Sequence, residues 1–264
     1  MKIRFISDIH AEFYSDPSWL PPLPSADDCD VLVLGGDISS GGGTIDTVRR
    51  IGAALPKTQI LFIAGNHDFY GVEIGDQIEK FRTAFENDDR IHFLENDSLT
   101  MDGVRFLGAS LWSGFDLLGR DQLKTAMKVA GERINDFRLI KDASSKSTGR
   151  FKPYAAVQRY KASRMWLADE LKKGNPEKTI VITHFPPCRE ARHPGFPEDE
   201  LTCYFTANCG ALITQHQPAA WIYGHNHWSA DFHIGKTRLV SNQMGYPQET
   251  KYIPGYDENK VIIL

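Results

Sequence analysis

Five short apolar runs, each closing on a cluster of carboxylate, amide or imidazole side chains, constrain this chain more than any other feature. Residues 3–6 lead to Asp8 and His10, and residues 31–34 to Gly35-Gly36-Asp37. Residues 60–63 lead to Gly65-Asn66-His67-Asp68, residues 180–182 to His184, and residues 221–223 to Gly224-His225-Asn226-His227. Continuous apolar runs of about four or five residues fit strands buried on both faces. Helical patterns lie between them. Thr44 is placed to cap a helix whose inner face is Ile45, Val48, Gly52 and Leu55 and which Pro56 stops. Ile74, Ile78, Phe81 and Phe85 recur at helical spacing. Strand and helix in alternation is an α/β pattern. In open sheets of that kind ligands gather beyond the carboxyl ends of the strands, which is where all five clusters fall.

Other segments follow different rules. Residues 91–94 and 104–107 flank Met101-Asp102-Gly103, and the Asp-Gly turn predicts that these two runs pair antiparallel in a second sheet. Residues 238–241 and 261–264 predict further strands. Within 113–175, Leu123, Met127, Ala130, Ile134 and Phe137 predict one amphipathic helix. A second helix is predicted from Pro153 to Leu171, stopped by Gly174 and Pro176, with a polar linker at 144–149 before it. We read 113–175 as a helical insertion in a single domain spanning 1–264. Net charge is −4 over 264 residues, against a dedicated nucleic-acid binder, although a local basic groove would be hidden in that average. No apolar run approaches the ~18 residues of a membrane span. The chain opens on a strand pattern without a leader, so the expected location is cytoplasmic. Cys29, Cys188, Cys203 and Cys209 show no C-x-x-C spacing and are expected to be reduced thiols.

The ligand-type residues at the strand ends are Asp8, His10, Asp37, Asn66, His184, His225 and His227. All offer oxygen or imidazole nitrogen, a mixture suited to manganese, iron or zinc. Seven such groups exceed the needs of one tetrahedral ion and match two ions that share a carboxylate. Two cations roughly 3.5–4 Å apart can clamp an in-line displacement at phosphorus. The glycines before several of these residues permit sharp turns, so that the next side chain leaves the strand.

Asp8-Ile9-His10, Gly36-Asp37, Gly65-Asn66-His67-Asp68, His184 and Gly224-His225-Asn226-His227, in that order, resemble the motif blocks of the calcineurin-like metallophosphoesterase superfamily. The resemblance implies a four-layer α/β/β/α sandwich with two mixed sheets. It implies a first metal held by Asp8, His10, Asp37 and His227, and a second held by Asp37, Asn66, His184 and His225. His67 is then left free to protonate the leaving oxygen, with Asp68 fixing its tautomer and orientation. Leu111-Trp112, Asn135-Asp136-Phe137-Arg138, Thr183-His184, Asn242 and Gly245-Tyr246 are similar to a bacterial branch of small single-domain phosphoesterases. Two features depart from or vary within that branch: Gln243-Met244 stands where a Pro-containing step is usual, and Asn226 separates the two histidines.

Other residues carry plainer readings. His92, His193, His216 and His233 are taken as ordinary surface or core histidines, Trp112 and Trp166 as packing residues, and Gly41-Gly42-Gly43 as a flexible turn, since no Gly-Lys-Ser/Thr follows it. Arg138, with its planar guanidinium, and Asn135 are candidate substrate contacts. Loop 186–206, rich in proline, is expected to form an irregular rim around the site. The function expected is metal-dependent hydrolysis of a small phosphomonoester or phosphodiester. The competing readings are a catalytically silent interaction module on the same fold, and a nuclease using the same site.

Overall fold

β1 (Lys2–Ile6), β2 (Val31–Leu34), β3 (Gln59–Phe62) and β4 (Ile91–Phe93) run parallel side by side, and β11 (Val261–Ile263) adds antiparallel to β1. The pairing registers Ile3 with Val31 and Val31 with Gln59, so the four parallel strands end almost level. The computed structural model describes residues 1–16, 18–25, 28–145, 148–249 and 255–264. A second sheet has the order β5-β6-β7-β8-β10-β9, formed by β5 (Asp97–Met101), β6 (Val104–Ala109), β7 (Thr179–Thr183), β8 (Ala220–Tyr223), β10 (Thr237–Ser241) and β9 (Asp231–Ile234). Its four central strands are parallel and its two edges antiparallel. Both sheets are therefore mixed, and the fold is α/β.

Alternate residues of each strand face opposite ways. Ile3, Phe5, Val31, Val33, Leu61 and Ile63 of the first sheet share one core with Phe106, Ile180, Ile182, Ile222 and Val240 of the second. The intervening residues join helical side chains in another cluster. Leu32, Leu34, Ile60 and Phe62 belong there with Val48 and Ile51 of α1 (Thr44–Ala54) and Phe81 and Phe85 of α2 (Ile74–Phe85). So do Leu107, Val181, Trp221 and Leu239, with Ala156 and Leu167 of α5 (Pro153–Glu170) and Leu212 and Ile213 of α6 (Gly210–His216). Each fully buried side chain of this size contributes roughly 1.5–3 kcal/mol. Among the described residues no helix is long and apolar enough to cross a membrane.

Three sequence expectations are corrected. The turn at Asp102-Gly103 is present, with φ of +48° and +77°, but it joins β5 to β6; β4 pairs parallel with β3 in the other sheet. Buried Ile91 and Phe93 join the cluster of α1 and α2 side chains on the first sheet, whereas the half-exposed 97–101 run, with weak apolar patterning, supplies the hairpin arm. Thr44 does not cap α1, because its hydroxyl turns inward and donates to Asp68 Oδ1 at 2.7 Å. The stripe from Leu123 to Phe137 is two helices, α3 (Leu123–Arg133) and α4 (Asp136–Leu139), broken at Ile134, whose φ and ψ of −90° and 133° are extended. The break lets Asp136 turn into the interior. Of the 144–149 linker, residues 146 and 147 lie outside the described residues.

Candidate active site

The strand ends are knitted into one floor by backbone hydrogen bonds. Asp8 N–H donates to Gly36 O and His10 N–H to Asp37 O, both at 3.0 Å, tying the turn after β1 to the turn after β2. Gly224 N–H donates to His184 O at 2.9 Å, and Ser7 N–H to Asn242 O at 3.1 Å. His225 N–H reaches Asp8 Oδ1 at 2.9 Å, joining the two sheets at the centre. Gly36, at φ +90°, leaves no room for a side chain: a Cβ there would lie 2.6 Å from His184 Nδ1. A Cβ on Gly65 would lie 2.2 Å from Asp37 Oδ1. Asp8, His10, Asp37, His225 and His227 all adopt left-handed backbone, with φ between +48° and +79°. Such conformations cost about 1 kcal/mol or more each for non-glycine residues, and they concentrate where function requires them.

All seven ligand-type residues named from the sequence converge on this floor. The ligand atoms of Asp8, His10 and His227 lie within 4.8 Å of one another, as do those of Asp37, His184 and His225. Asp37 Oδ2 is 3.4 Å from His184 Nε2 and 3.8 Å from His10 Nε2, so one oxygen lies between the two groups. Asn66 Oδ1 is 3.1 Å from His184 Nε2. The donor set fits divalent cations. His225 Nε2 is buried without a hydrogen-bond partner among the described residues, and the Nε2 atoms of His10 and His227 face each other at 3.1 Å, an arrangement that a cation between such groups relieves.

The remaining ring nitrogens are held from outside. His184 Nδ1 donates to Gly35 O at 2.9 Å, His227 Nδ1 to Glu249 Oε2 at 2.5 Å, and His10 Nδ1 to Glu12 Oε1 at 3.2 Å, so that each Nε2 points inward. Burial works to raise the Asp37 carboxyl, yet the charges of His184, His67 and His10 hold it well below the usual carboxylate range. Burial, reinforced by the charge of His184, puts His225 well below the ordinary imidazole value and keeps a lone pair available.

His67 stands beside these groups, near His10 and Glu12. Its Nδ1 donates to Glu12 Oε1 at 3.2 Å and its Nε2 lies 3.1 Å from the Tyr246 hydroxyl, while its ring stacks on Tyr70 at 4.1 Å. The expected contact with Asp68 is not made. The Asp68 carboxylate instead accepts Gly65 N–H at 2.8 Å, Thr44 Oγ1 at 2.7 Å and Ile38 N–H at 3.2 Å, and so braces the turns after β2 and β3. Adjacent residues in the short 3₁₀ turn His67–Phe69 point in different directions, which is why the neighbouring carboxylate does not reach the imidazole.

Comparison with known proteins bears on this arrangement. The family model of the calcineurin-like phosphoesterases matches residues 1–229. The chain belongs to that family. An uncharacterized protein of Acanthamoeba polyphaga mimivirus is 23% identical over 270 residues, covering 94% of this chain and 92% of that protein. The phosphopantetheinyl hydrolase of Mycobacterium tuberculosis has the same fold, with a TM-score of 0.75 and 15% identity over 99% of this chain and 95% of its own. A protein of Thermus thermophilus aligns with a TM-score of 0.51 and 14% identity over 92% and 88% of the two chains. Membership in the calcineurin-like phosphoesterases carries metal-dependent phosphoester hydrolysis as the general activity.

A cavity of about 700 Å³ opens above the floor of this phosphoesterase. Asp37, Asn66, His67, His225 and His227 line its base, and loop 186–206 forms one wall, as the proline-rich sequence led us to expect. Asn135 lines the cavity, but Arg138 does not. Its guanidinium bonds Asn135 Oδ1 on an exposed face, and Arg133, at the end of α3 before the break, takes the cavity position. His193, read as ordinary, also lines the wall, edge-on to Trp228 at 5.0 Å. The two branch features noted in the sequence pair with each other: Gln243 Nε2 donates to Asn226 Oδ1 at 2.8 Å. The four cysteines are free and buried. Glu12, Tyr70, Asp136, Tyr204, Tyr246 and Glu249 touch the site without having been singled out for it. The motif containing Asp136 and the step containing Tyr246 were the only signals that pointed near them.

Proposed function

We propose that this chain is a single catalytic domain that hydrolyses a phosphomonoester or phosphodiester with two divalent cations. Asp8, His10, Asp37 and His227 hold the first cation, and Asp37, Asn66, His184 and His225 the second. Manganese, iron and zinc all accept this set. When bound, the pair supplies positive charge at the phosphoryl oxygens and lowers the pKa of the attacking water. The observation that carries the reading is the single oxygen of Asp37 lying 3.4 Å from His184 and 3.8 Å from His10, between the two groups.

His67 donates a proton to the leaving oxygen. The Glu12 carboxylate, bonded to Nδ1 at 3.2 Å, favours the protonated imidazole that an acid needs. The cavity of about 700 Å³ has the size of pockets that enclose drug-sized ligands, so the alcohol part of the ester is large. Ile134, Phe196, Leu201 and Phe205 on its walls favour a partly apolar one. The complete ligand set supports catalysis over a silent interaction module.

The test is metal analysis together with hydrolysis of bis-p-nitrophenyl phosphate in Mn²⁺, extended to cyclic nucleotides, dinucleoside polyphosphates and a phosphopantetheinyl ester. Two ions per chain and metal-dependent turnover are expected. His67→Ala should keep both ions and lose most rate on alkyl esters, whose leaving groups need the proton, by about 10²-fold or more. Equal losses on p-nitrophenyl and alkyl esters would remove His67 from the acid role.

A further inference from the structure

The most unusual carboxylate outside the presumed ligands is Asp136. It is fully buried at the start of α4 and makes no ion pair among the described residues. A carboxylate buried without a cation is costly, and an apolar residue there would be expected to stabilise the fold more. Its partners are the Tyr70 hydroxyl, donating at 2.6 Å, the Tyr204 hydroxyl, and Asn66 Nδ2, donating at 3.0 Å.

We propose that Asp136 is a positioning residue for the second cation: it fixes the Asn66 amide so that Oδ1, and not Nδ2, faces the metal-binding group. This rests on the two-cation reading above. An amide has two nearly isosteric ends, and only the oxygen carries a lone pair for a cation. Turned by half a revolution, Asn66 would present an NH₂ to His184 and the cation and lose the bond. Asp136 Oδ1, which also takes the Tyr70 hydroxyl, faces the outer end of Asn66 as an acceptor and so discriminates between the two orientations. The two tyrosine hydroxyls fix the carboxylate in turn. Tyr70 also stacks on His67 at 4.1 Å, so the helical insertion reaches both the cation ligand and the proposed acid through Asp136. The break between α3 and α4 then has a purpose, because a continuous helix would not direct Asp136 to Asn66. Outer partners of this kind typically set metal affinity by about 10–100-fold.

A double-mutant cycle tests the inference with near-isosteric changes. Mn²⁺ binding to the full chain is measured by calorimetry for wild type, Asp136→Asn, Asn66→Asp and the swapped pair Asn66→Asp/Asp136→Asn. Asn66→Asp sets two carboxylates face to face, and Asp136→Asn in that background supplies an NH₂ to bridge them. The expected result is that Asp136→Asn changes second-ion affinity at least about 10-fold more favourably beside Asp at position 66 than beside Asn. A merely structural role would shift the melting temperature of the metal-free proteins without producing this coupling. Equal effects in both backgrounds overturn the inference, as does a swapped pair that fails to fold where the single variants fold. If Asn66→Asp alone fails to fold, folding of the swapped pair supports the inference and its failure overturns it. A wild type that binds fewer than two ions overturns the two-cation reading and this inference with it; two ions with no coupling overturn this inference alone.

Discussion

His67 has a partner on each ring nitrogen, Glu12 Oε1 at 3.2 Å and the Tyr246 hydroxyl at 3.1 Å, and these partners decide what the imidazole can do. Burial works to raise Glu12, but hydrogen bonds from His10 and His67 bring it down to about 2, so it is ionised throughout the working range. One carboxylate oxygen thus orients both a presumed ligand and the presumed acid. Glu12→Gln keeps the shape and removes the charge; kcat on an alkyl phosphate should fall about 10–100-fold at saturating Mn²⁺, with a smaller loss on a p-nitrophenyl ester. An unchanged ratio between the two substrates would show that Glu12 does not serve the acid. Asp68→Asn should behave differently. It disturbs a buried acceptor shared by Gly65 N–H and the Thr44 hydroxyl, so about 1–3 kcal/mol of folding stability should be lost in urea titrations, while the substrate ratio stays the same. The seven ligand-type residues were legible in the sequence because each follows a strand within a few positions. Glu12 and Asp136 were not, because Glu12 meets His67 across 55 residues of chain and Asp136 meets Asn66 across 70, with no spacing rule to link them, and the two-residue step from His10 to Glu12 is no signal by itself.

At the scale of elements, apolar periodicity located α2, because the pattern reports a buried face that the sheet then covers, and Pro153 with the stops at Gly174 and Pro176 located α5 to within a residue or so. It did not show which sheet received β4, since a three-residue apolar run carries no information about its neighbour. Nor did it show the break at Ile134, because the apolar stripe continues through it. The glycine-bearing turns after β2 and β3 were read correctly as sharp, and their tightness has a measurable consequence. Gly36→Ala puts a methyl against His184 Nδ1 and also 2.7 Å from Gly65 N, at a φ of +90°. The conformational cost of about 1–2 kcal/mol adds to an overlap cost of about 1–3 kcal/mol, so stability should fall by about 2–5 kcal/mol and the second ion should bind more weakly. Gly42→Ala is the control. Its methyl meets nothing within 4 Å, and its effect should stay within about 0.5 kcal/mol. Equal urea midpoints for the two variants would mean that the turn after β2 yields easily and that its glycine does not set the spacing of the ligands.

The molecule as a whole depends on two sheets keeping their strand ends together, and one polar tie between them runs through Glu95. Glu95, buried in the crossing from β4 to β5, accepts Ser110 N–H at 2.9 Å and lies 2.7 Å from Ser110 Oγ, which in turn lies 2.7 Å from Ala64 O beyond the end of β3. The serine has one hydroxyl proton and cannot donate to both oxygens. A protonated Glu95 resolves the conflict by donating to Ser110 Oγ, leaving the serine to donate to Ala64. Burial raises the Glu95 pKa, and the Ser110 hydrogen bonds oppose burial without cancelling it. A carboxyl whose pKa is higher folded than unfolded stabilises the fold fully below the unfolded value, about 4.3, where both states carry the proton. As pH rises, the unfolded chain releases its proton first and the folded chain holds on, so this contribution is lost as pH passes through the folded value. Glu95→Gln retains a donor and an acceptor but does not titrate. Its stability relative to wild type should therefore improve in urea titrations as pH rises above the unfolded value and level off once pH passes the folded value. A difference that is flat with pH would mean that Glu95 loses its proton equally easily in both states, and that the tie between β3 and β6 does not depend on the proton.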